Sequence, residues 1–315
     1  MTRQAAYLNL THQELEEKVQ EARGRLTSCR LCPRLCAVDR VEGETGFCQT
    51  GRLSRLASFH LHFGEEAPLV GENGSGTIFF AGCNLGCLFC QNFDISHRAK
   101  DSPEVRPEQL AEVMLELQRK GALNINLVTP SHVVPQFLEA LALAVASGLR
   151  LPIVYNCGGY EQVKTLRLLD GVVDIYMPDL KFADPARAKE YCLAEDYPDK
   201  ARLAIKEMHR QVGDLKLDAA GVARQGLMIR HLLMPMGLAG SAEWFAFISR
   251  EISKNTYLNI MDQYHSCGQA RRYPELDRTI SRAEYEQAVE TAREYGLSRL
   301  DRRDQRSLRN LFRLL

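Results

Sequence analysis

Residues Thr77-Ile78-Phe79-Phe80-Ala81-Gly82-Cys83-Asn84-Leu85-Gly86-Cys87-Leu88-Phe89-Cys90 run from an apolar stretch directly into three closely spaced cysteines. The apolar run reads as a buried β-strand, and the cysteines after it form a C-x3-C-x2-C loop. Three thiolates at that spacing can hold three irons of a [4Fe-4S] cluster while the fourth iron keeps no protein ligand. A structural zinc site is one alternative, but zinc takes four ligands in a closed site. A disulfide loop is the other, but three cysteines this close cannot pair off evenly. An iron without a protein ligand is a place for chemistry.

Outward from that loop, strand-like apolar or β-branched runs occur near residues 76–82, 124–130, 152–157, 172–180, 227–235 and 256–262. Helical patterns lie between them. In one, Pro107 stands just inside the start, Leu110, Val113, Met114 and Leu117 recur at helical spacing, and Gly121 is the stop. Strands alternating with helices predict a parallel sheet. A hairpin is expected over 215–225, with Ala219-Ala220-Gly221 at its centre. Barrels of parallel strands carry their reactive groups at the C-terminal strand ends, and polar residues gather at those ends here. They are Thr129-Pro130-Ser131-His132, Asn156-Cys157-Gly158-Gly159, Asp179-Leu180-Lys181, Arg230, and Tyr264-His265-Ser266-Cys267-Gly268.

The chain has 315 residues and is 45% apolar, enough to bury a sizeable core. Forty Lys and Arg balance forty Asp and Glu, so no net field recruits nucleic acid or an anionic membrane. No run approaches the ~18 uninterrupted apolar residues of a membrane span, and Met1 to Leu10 lacks the charged-then-apolar order of a signal peptide. The expectation is a cytoplasmic protein with no nucleic-acid and no membrane partner. Ten cysteines then fit metal ligation better than disulfides.

The cysteine loop resembles that of the radical S-adenosylmethionine (SAM) enzymes. From Cys29 to the C-terminal helices the chain is similar to the pyruvate formate-lyase activating enzyme group, and more closely to its PflX-like relatives. The resemblance implies an α/β fold: an incomplete (β/α)6 TIM-type barrel over 64–275, preceded by a helix and four-cysteine metal module over 1–63 and followed by packed helices over 276–315. It implies a [4Fe-4S] cluster on Cys83, Cys87 and Cys90, SAM chelated to the open iron, and a 5′-deoxyadenosyl radical that takes a hydrogen atom from a substrate. Phe89 then lies beside the adenine, while Asn156, Asp179, Lys181 and Arg230 position SAM. Asp179-Leu180-Lys181, Arg230 to Pro235, and Tyr264-His265 with Gly268 resemble the group's motifs on the fourth, fifth and sixth strands. The second strand departs from the pattern, with Val128-Thr129-Pro130-Ser131-His132 where the group has Gly-Gly-Glu. Thr129, Ser131 and His132 are therefore expected to meet the SAM amino group, His132 having helix capping as its alternative role. Tyr264, His265 and Cys267 are the expected catalytic residues deeper in the mouth. Cys157 is a further thiol at a strand end, Cys192 reads as packing, and Glu65 or Glu66 is expected to face the mouth. His60, His62, His97, His209 and His231 read as structural or solvated.

Cys29, Cys32, Cys36 and Cys48 form a second group, C-x2-C-x3-C-x11-C, with turn-forming Pro33, Gly43 and Gly46 among them. Four soft ligands can close a zinc site or hold a complete [4Fe-4S] cluster, and residue types alone do not separate the two. An anaerobic redox enzyme must receive an electron, which favours iron–sulfur and implies a flavodoxin or ferredoxin-type donor. The substrate is expected to be a glycyl-radical protein, which loses a glycine Cα hydrogen, or else a small molecule or cofactor. A non-catalytic iron–sulfur electron carrier is the alternative from another class. A Thr11/Glu14 capping box opens the first helix. Arg302, Arg303, Arg306, Arg309 and Arg313, interleaved with Leu308, Leu311 and Phe312, read as a basic amphipathic helix.

Overall fold

In the computed structural model, which describes residues 4–301, all six expected strands form and pair in parallel. In chain order the strands are β1 Ser54–His62, β2 Ser75–Phe80, β3 Glu104–Val105, β4 Ile125–Val128, β5 Ile153–Cys157, β6 Ile175–Leu180, β7 Lys216–Leu217, β8 Ala223–Leu232 and β9 Tyr257–Met261. The sheet order is β3-β1-β2-β4-β5-β6-β8, with β7 and β9 also on β8. Strands β2, β4, β5, β6, β8 and β9 are mutually parallel. Among the described residues no ladder joins β9 back to β1 or β3, so the sheet is an open, partial barrel. No helix among them is long and apolar enough to cross a membrane.

Strand β1 is an addition to the six expected strands. It pairs antiparallel with β2, which brings residues 54–62 out of the expected N-terminal module and into the sheet. Its local signal is weak: exposed Ser58 and His60 alternate with only half-buried Phe59 and Leu61, so the partner strand rather than its own composition holds it extended. The expected hairpin forms as β7 against β8, its turn closed by Gly221 N–H donating to Asp218 O. Thr11 and Glu14 make the capping box that their spacing predicts. The helix Pro107–Arg119 starts at its proline, buries Leu110, Val113, Met114 and Leu117, and stops before Gly121, whose φ of 87° suits glycine alone. The basic segment from Arg302 onward lies outside the described residues.

The inner face of the sheet has its own small core of Leu69, Val154, Ile175, Met177, Leu215, Ala223 and Met228. Residues two apart on a strand share a face. Asn156, Asp179 and Arg230 therefore stand on that same inner face, one step nearer the C-terminal strand ends than Val154, Met177 and Met228. Leu69 enters from the short helix Ala67–Val70, and the residues before it reach the same interior. Glu66 accepts from Asn259 Nδ2 at 2.8 Å, and Glu65 lies 3.4 Å from Arg230 Nη1. The segment after β1 thus closes the bottom of the open barrel and leaves its top as the polar mouth.

Candidate active site

The strand tops converge on a cavity of about 450 Å3 lined by Cys83, Cys87, Cys90, Phe89, Thr129, Asn156, Asp179, Lys181 and Arg230. Gly82 makes the turn out of β2 with φ 85°, and a Cβ there would stand 2.4 Å from the Cys48 carbonyl oxygen, so only glycine fits. Burial pushes the Cys83 and Cys90 thiols above the ordinary thiol range, while contact with Cys192 and burial do the same for Cys87. The Lys181 charge pulls against that rise at all three. Three free thiols facing one cavity beside a lysine suit the irons of a cluster with one open position. Among the described residues no three Cys, His, Asp or Glu side chains are gathered closely enough for a single metal ion, whereas a cluster needs one sulfur per iron and hence a wider set.

Asp179 is the centre of the charged lining. Its carboxylate accepts from Arg230 Nε at 2.7 Å and from Lys181 Nζ at 3.1 Å. Arg230 Nη2 also donates to Asn156 Oδ1 at 2.6 Å. Burial works to raise the Asp179 pKa, but the two cations outweigh it and hold the carboxyl below its ordinary value. Burial likewise opposes the charge on Lys181, and Asp179 more than restores it. Glu65 differs: burial pushes its carboxyl up to about 7 although Arg230 pulls it down. The cavity therefore holds a compensated ionic group, in which Asp179 is met by both Lys181 and Arg230. Phe89, 4% exposed, meets Phe182 and Tyr264 edge to face, which fixes its ring on the wall.

Several expected residues lie elsewhere. Thr129 takes φ 60°, turning the chain behind the sheet, so the second strand contributes Thr129 and Val128 to the cavity and neither Ser131 nor His132. Ser131 is fully buried and donates to Glu161. His132 Nε2 donates to Ala81 O at 2.9 Å, burial lowers its pKa to about 4, and it does not cap the helix Val134–Ala146. Tyr264 is buried and donates its hydroxyl to Leu276 O at 2.8 Å. His265 is exposed and Cys267 half-buried, and neither lines the cavity. Met261 and Gln263 reach the cavity, whereas Tyr264 and the residues after it pack on the cysteine loop from outside, Tyr264 against Phe89 and Gln269 N–H on Leu88 O. Cys157 does reach the cavity wall, and its thiol also donates to Glu161. Burial raises the Glu161 carboxyl to about 7, making it a buried anchor for Ser131, Tyr155 and Cys157 that no sequence signal marks. His62, opposite Ser75 at the N-terminal end of β2, lines the cavity from below, and Cys192 Sγ lies 3.3 Å from Cys87 Sγ, two contacts that spacing along the chain does not foretell. His231 is structural as expected, held between Leu180 O and Ser241 Oγ.

The model of the radical SAM superfamily matches residues 77–217, from β2 through the cysteine loop to β7. Uncharacterized protein MJ0674 of Methanocaldococcus jannaschii is 33% identical over 290 residues, which is 90% of this chain and 79% of that one. Uncharacterized protein MJ0808 of the same organism is 26% identical over 169 residues, 49% of each chain. Among solved structures, TYW1 with a lysine-pyruvate adduct bound aligns with a TM-score of 0.43 and 11% identity over 69% of this chain and 73% of its own. HydG, a maturase of the [FeFe]-hydrogenase, aligns with a TM-score of 0.47 and 9% identity over 93% of this chain and 63% of its own.

Proposed function

This chain belongs to the radical SAM superfamily, and from that premise we propose that it is a PflX-like activase that removes a hydrogen atom from a glycine Cα of a partner protein. Cys83, Cys87 and Cys90 would hold a [4Fe-4S] cluster, which when bound would supply the electron for reductive cleavage of SAM. The observation that carries the reading is the single cavity in which those three thiols meet Asp179, Lys181, Arg230 and Asn156. Lys181 is placed to meet the SAM carboxylate and Asp179 to hold that lysine in position. Thr129 and nearby backbone carbonyls are left for the SAM ammonium, since Ser131 and His132 face away. Phe89 offers the wall for the adenine. Gln91, Asn92 and Gln263 are exposed residues of the cavity lining, and a protein loop carrying the target glycine would enter beside them.

A second reading, hydrogen abstraction from a small molecule, is favoured by Glu65 and Arg230 at the floor of the cavity, where a polar substrate smaller than a peptide loop would find both charges. Cys29, Cys32, Cys36 and Cys48 hold a second metal group in either case, and an electron donor of flavodoxin or ferredoxin type serves the enzyme. One measurement separates the two substrates. A peptide from a glycyl-radical protein, deuterated at the glycine Cα, is added to the reduced, reconstituted enzyme with SAM. Deuterium should appear in the released 5′-deoxyadenosine. Release without deuterium transfer sinks the activase and leaves the small-molecule reading.

Cys192 yields a prediction of its own. Once Cys87 ligates as a thiolate, only Cys192 has a proton to share across their 3.3 Å contact. Hydrogen bonds to cluster sulfurs help set cluster potentials, and a donor favours the more negative, reduced state. Cys192→Ala should lower the midpoint potential of the cluster in an EPR-monitored titration, and Cys192→Ser, which keeps a donor, should recover part of the shift. An unchanged potential in the alanine variant removes Cys192 from the site.

A further inference from the structure

Cys29, Cys32, Cys36 and Cys48 all line one pocket, together with Arg40 and Asn84. Arg40 is 1% exposed. Its Nη1 donates to His132 O and lies 3.8 Å from Cys29 Sγ, yet its Nη2 is buried without a partner. A buried donor left unmet costs about 1–3 kcal/mol, and more when it is charged. Anionic sulfur in the pocket is the acceptor that would meet it. Zinc would draw four thiolates to ~2.3 Å from one point and so to ~3.8 Å from each other, and no such gathering exists among the described residues. The same holds for Cys83, Cys87 and Cys90. Gly46 leaves room for Cys36: a Cβ there would stand 2.7 Å from Cys36 Sγ.

The N-terminal pocket is fastened to the catalytic loop. Arg34, between Cys32 and Cys36, donates through Nε to Asn84 O at 2.8 Å and through Nη1 to Leu193 O. Asn84, which follows Cys83 directly, lines the N-terminal pocket, and the Cys48 carbonyl approaches Gly82 on the other side of Cys83, so the two cysteine groups adjoin. On the opposite side Cys36 is exposed, and Leu35, Val41 and Phe47 nearby in the chain are among the few large apolar side chains that face solvent.

Resting on the reading that the quartet binds metal, we propose that Cys29, Cys32, Cys36 and Cys48 hold a second [4Fe-4S] cluster and not zinc, and that this cluster is where the electron for SAM cleavage enters the protein. A reduced flavodoxin gives one electron to this cluster on the side of the exposed Cys36 and is thereby oxidised. The N-terminal cluster is reduced by that electron and returns to its oxidised state when the electron passes to the adjoining catalytic cluster, where SAM cleavage consumes it. No proton or ligand moves in either transfer.

The test uses the full chain, reconstituted anaerobically. A Cys83/Cys87/Cys90 triple alanine variant should retain about four irons per chain, no zinc, and an EPR signal that reduced flavodoxin elicits. One zinc per chain overturns the cluster assignment, and folded protein free of metal overturns the site itself. Iron that flavodoxin cannot reduce overturns the electron-entry role alone. In a Cys32→Ser/Cys48→Ser variant, the rate of catalytic-cluster reduction by flavodoxin, divided by the rate with dithionite, should fall by an order of magnitude or more. An unchanged ratio shows that electrons reach the catalytic cluster without the quartet.

Discussion

Cys87→Ala, reconstituted anaerobically, reduced and mixed with SAM, should release 5′-deoxyadenosine about a thousandfold more slowly than the unaltered enzyme, ~4 kcal/mol on the barrier. Cys87 is buried beside Lys181 and Cys192 at the centre of the loop, and Cys157, the cavity thiol outside the loop, is held by Glu161. Cys192 is the nearest sulfur, but its backbone carbonyl accepts from Gly86 N–H at 3.1 Å, which holds it on the neighbouring helix Pro185–Cys192 rather than in the loop. Cys267 lies outside the cavity lining, so Cys267→Ala should keep most of the activity, against the catalytic role its place after the last strand suggests. Liquid chromatography of the nucleoside decides both. Full turnover by Cys87→Ala overturns the placement of the cluster, and loss of turnover in Cys267→Ala returns that thiol to the chemistry.

Arg230→Met should destabilise the protein by about 3–5 kcal/mol, the usual cost of removing one partner from a buried ionic group. Arg230 keeps 16% of its side chain exposed, toward the cavity, and bridges Asp179, Asn156 and Glu65. Without it the Asp179 and Glu65 carboxyls share a poorly solvated site with Lys181 as the remaining cation. The loss is read as a lower urea midpoint at unchanged slope. Arg230→Met with Glu65→Gln should recover part of it, because one uncompensated carboxyl is gone. SAM binding should weaken in Arg230→Met even where the protein is folded, since Asp179 then loses the 2.7 Å contact that aims it at Lys181. A wild-type urea midpoint for Arg230→Met would show that this ionic group carries no stability.

The loop Cys83 to Cys90 was readable in the sequence because its chemistry is local: three ligands within eight positions are brought together by any short turn. The six parallel strands were readable for a similar reason, since each is a short apolar run punctuated by Gly, Pro or Asn, and each ends in polar residues where the mouth must be. Asp179, Lys181, Arg230 and Asn156 stand at those ends, where the resemblance to the activating-enzyme group singled them out, and strand alternation accounts for the shared face of Asn156, Asp179 and Arg230. Where the chain leaves a strand, that rule stops working. Thr129 at φ 60° carries Ser131 and His132 behind the sheet, and after Gln263 the chain packs on the outside of the cysteine loop, with Tyr264 against Phe89 and Gln269 N–H donating to Leu88 O, so that His265 and Cys267 do not line the cavity. Their residue types suit a SAM site, but the path of the chain beyond the strand decides whether they reach it.

The six parallel strands, their polar ends and the spacing of the two cysteine groups were thus legible in the sequence itself, through periodicity that acts over a few residues. The tertiary structure alone decided that β1 joins the sheet, that Glu65 enters from below to meet Arg230, that Cys192 touches Cys87 across 105 positions, and that the two cysteine groups adjoin. Each of these is a contact between segments distant in the chain, formed because burial and hydrogen bonding in the folded barrel outweigh the loop-closure entropy that keeps such segments apart in the unfolded chain.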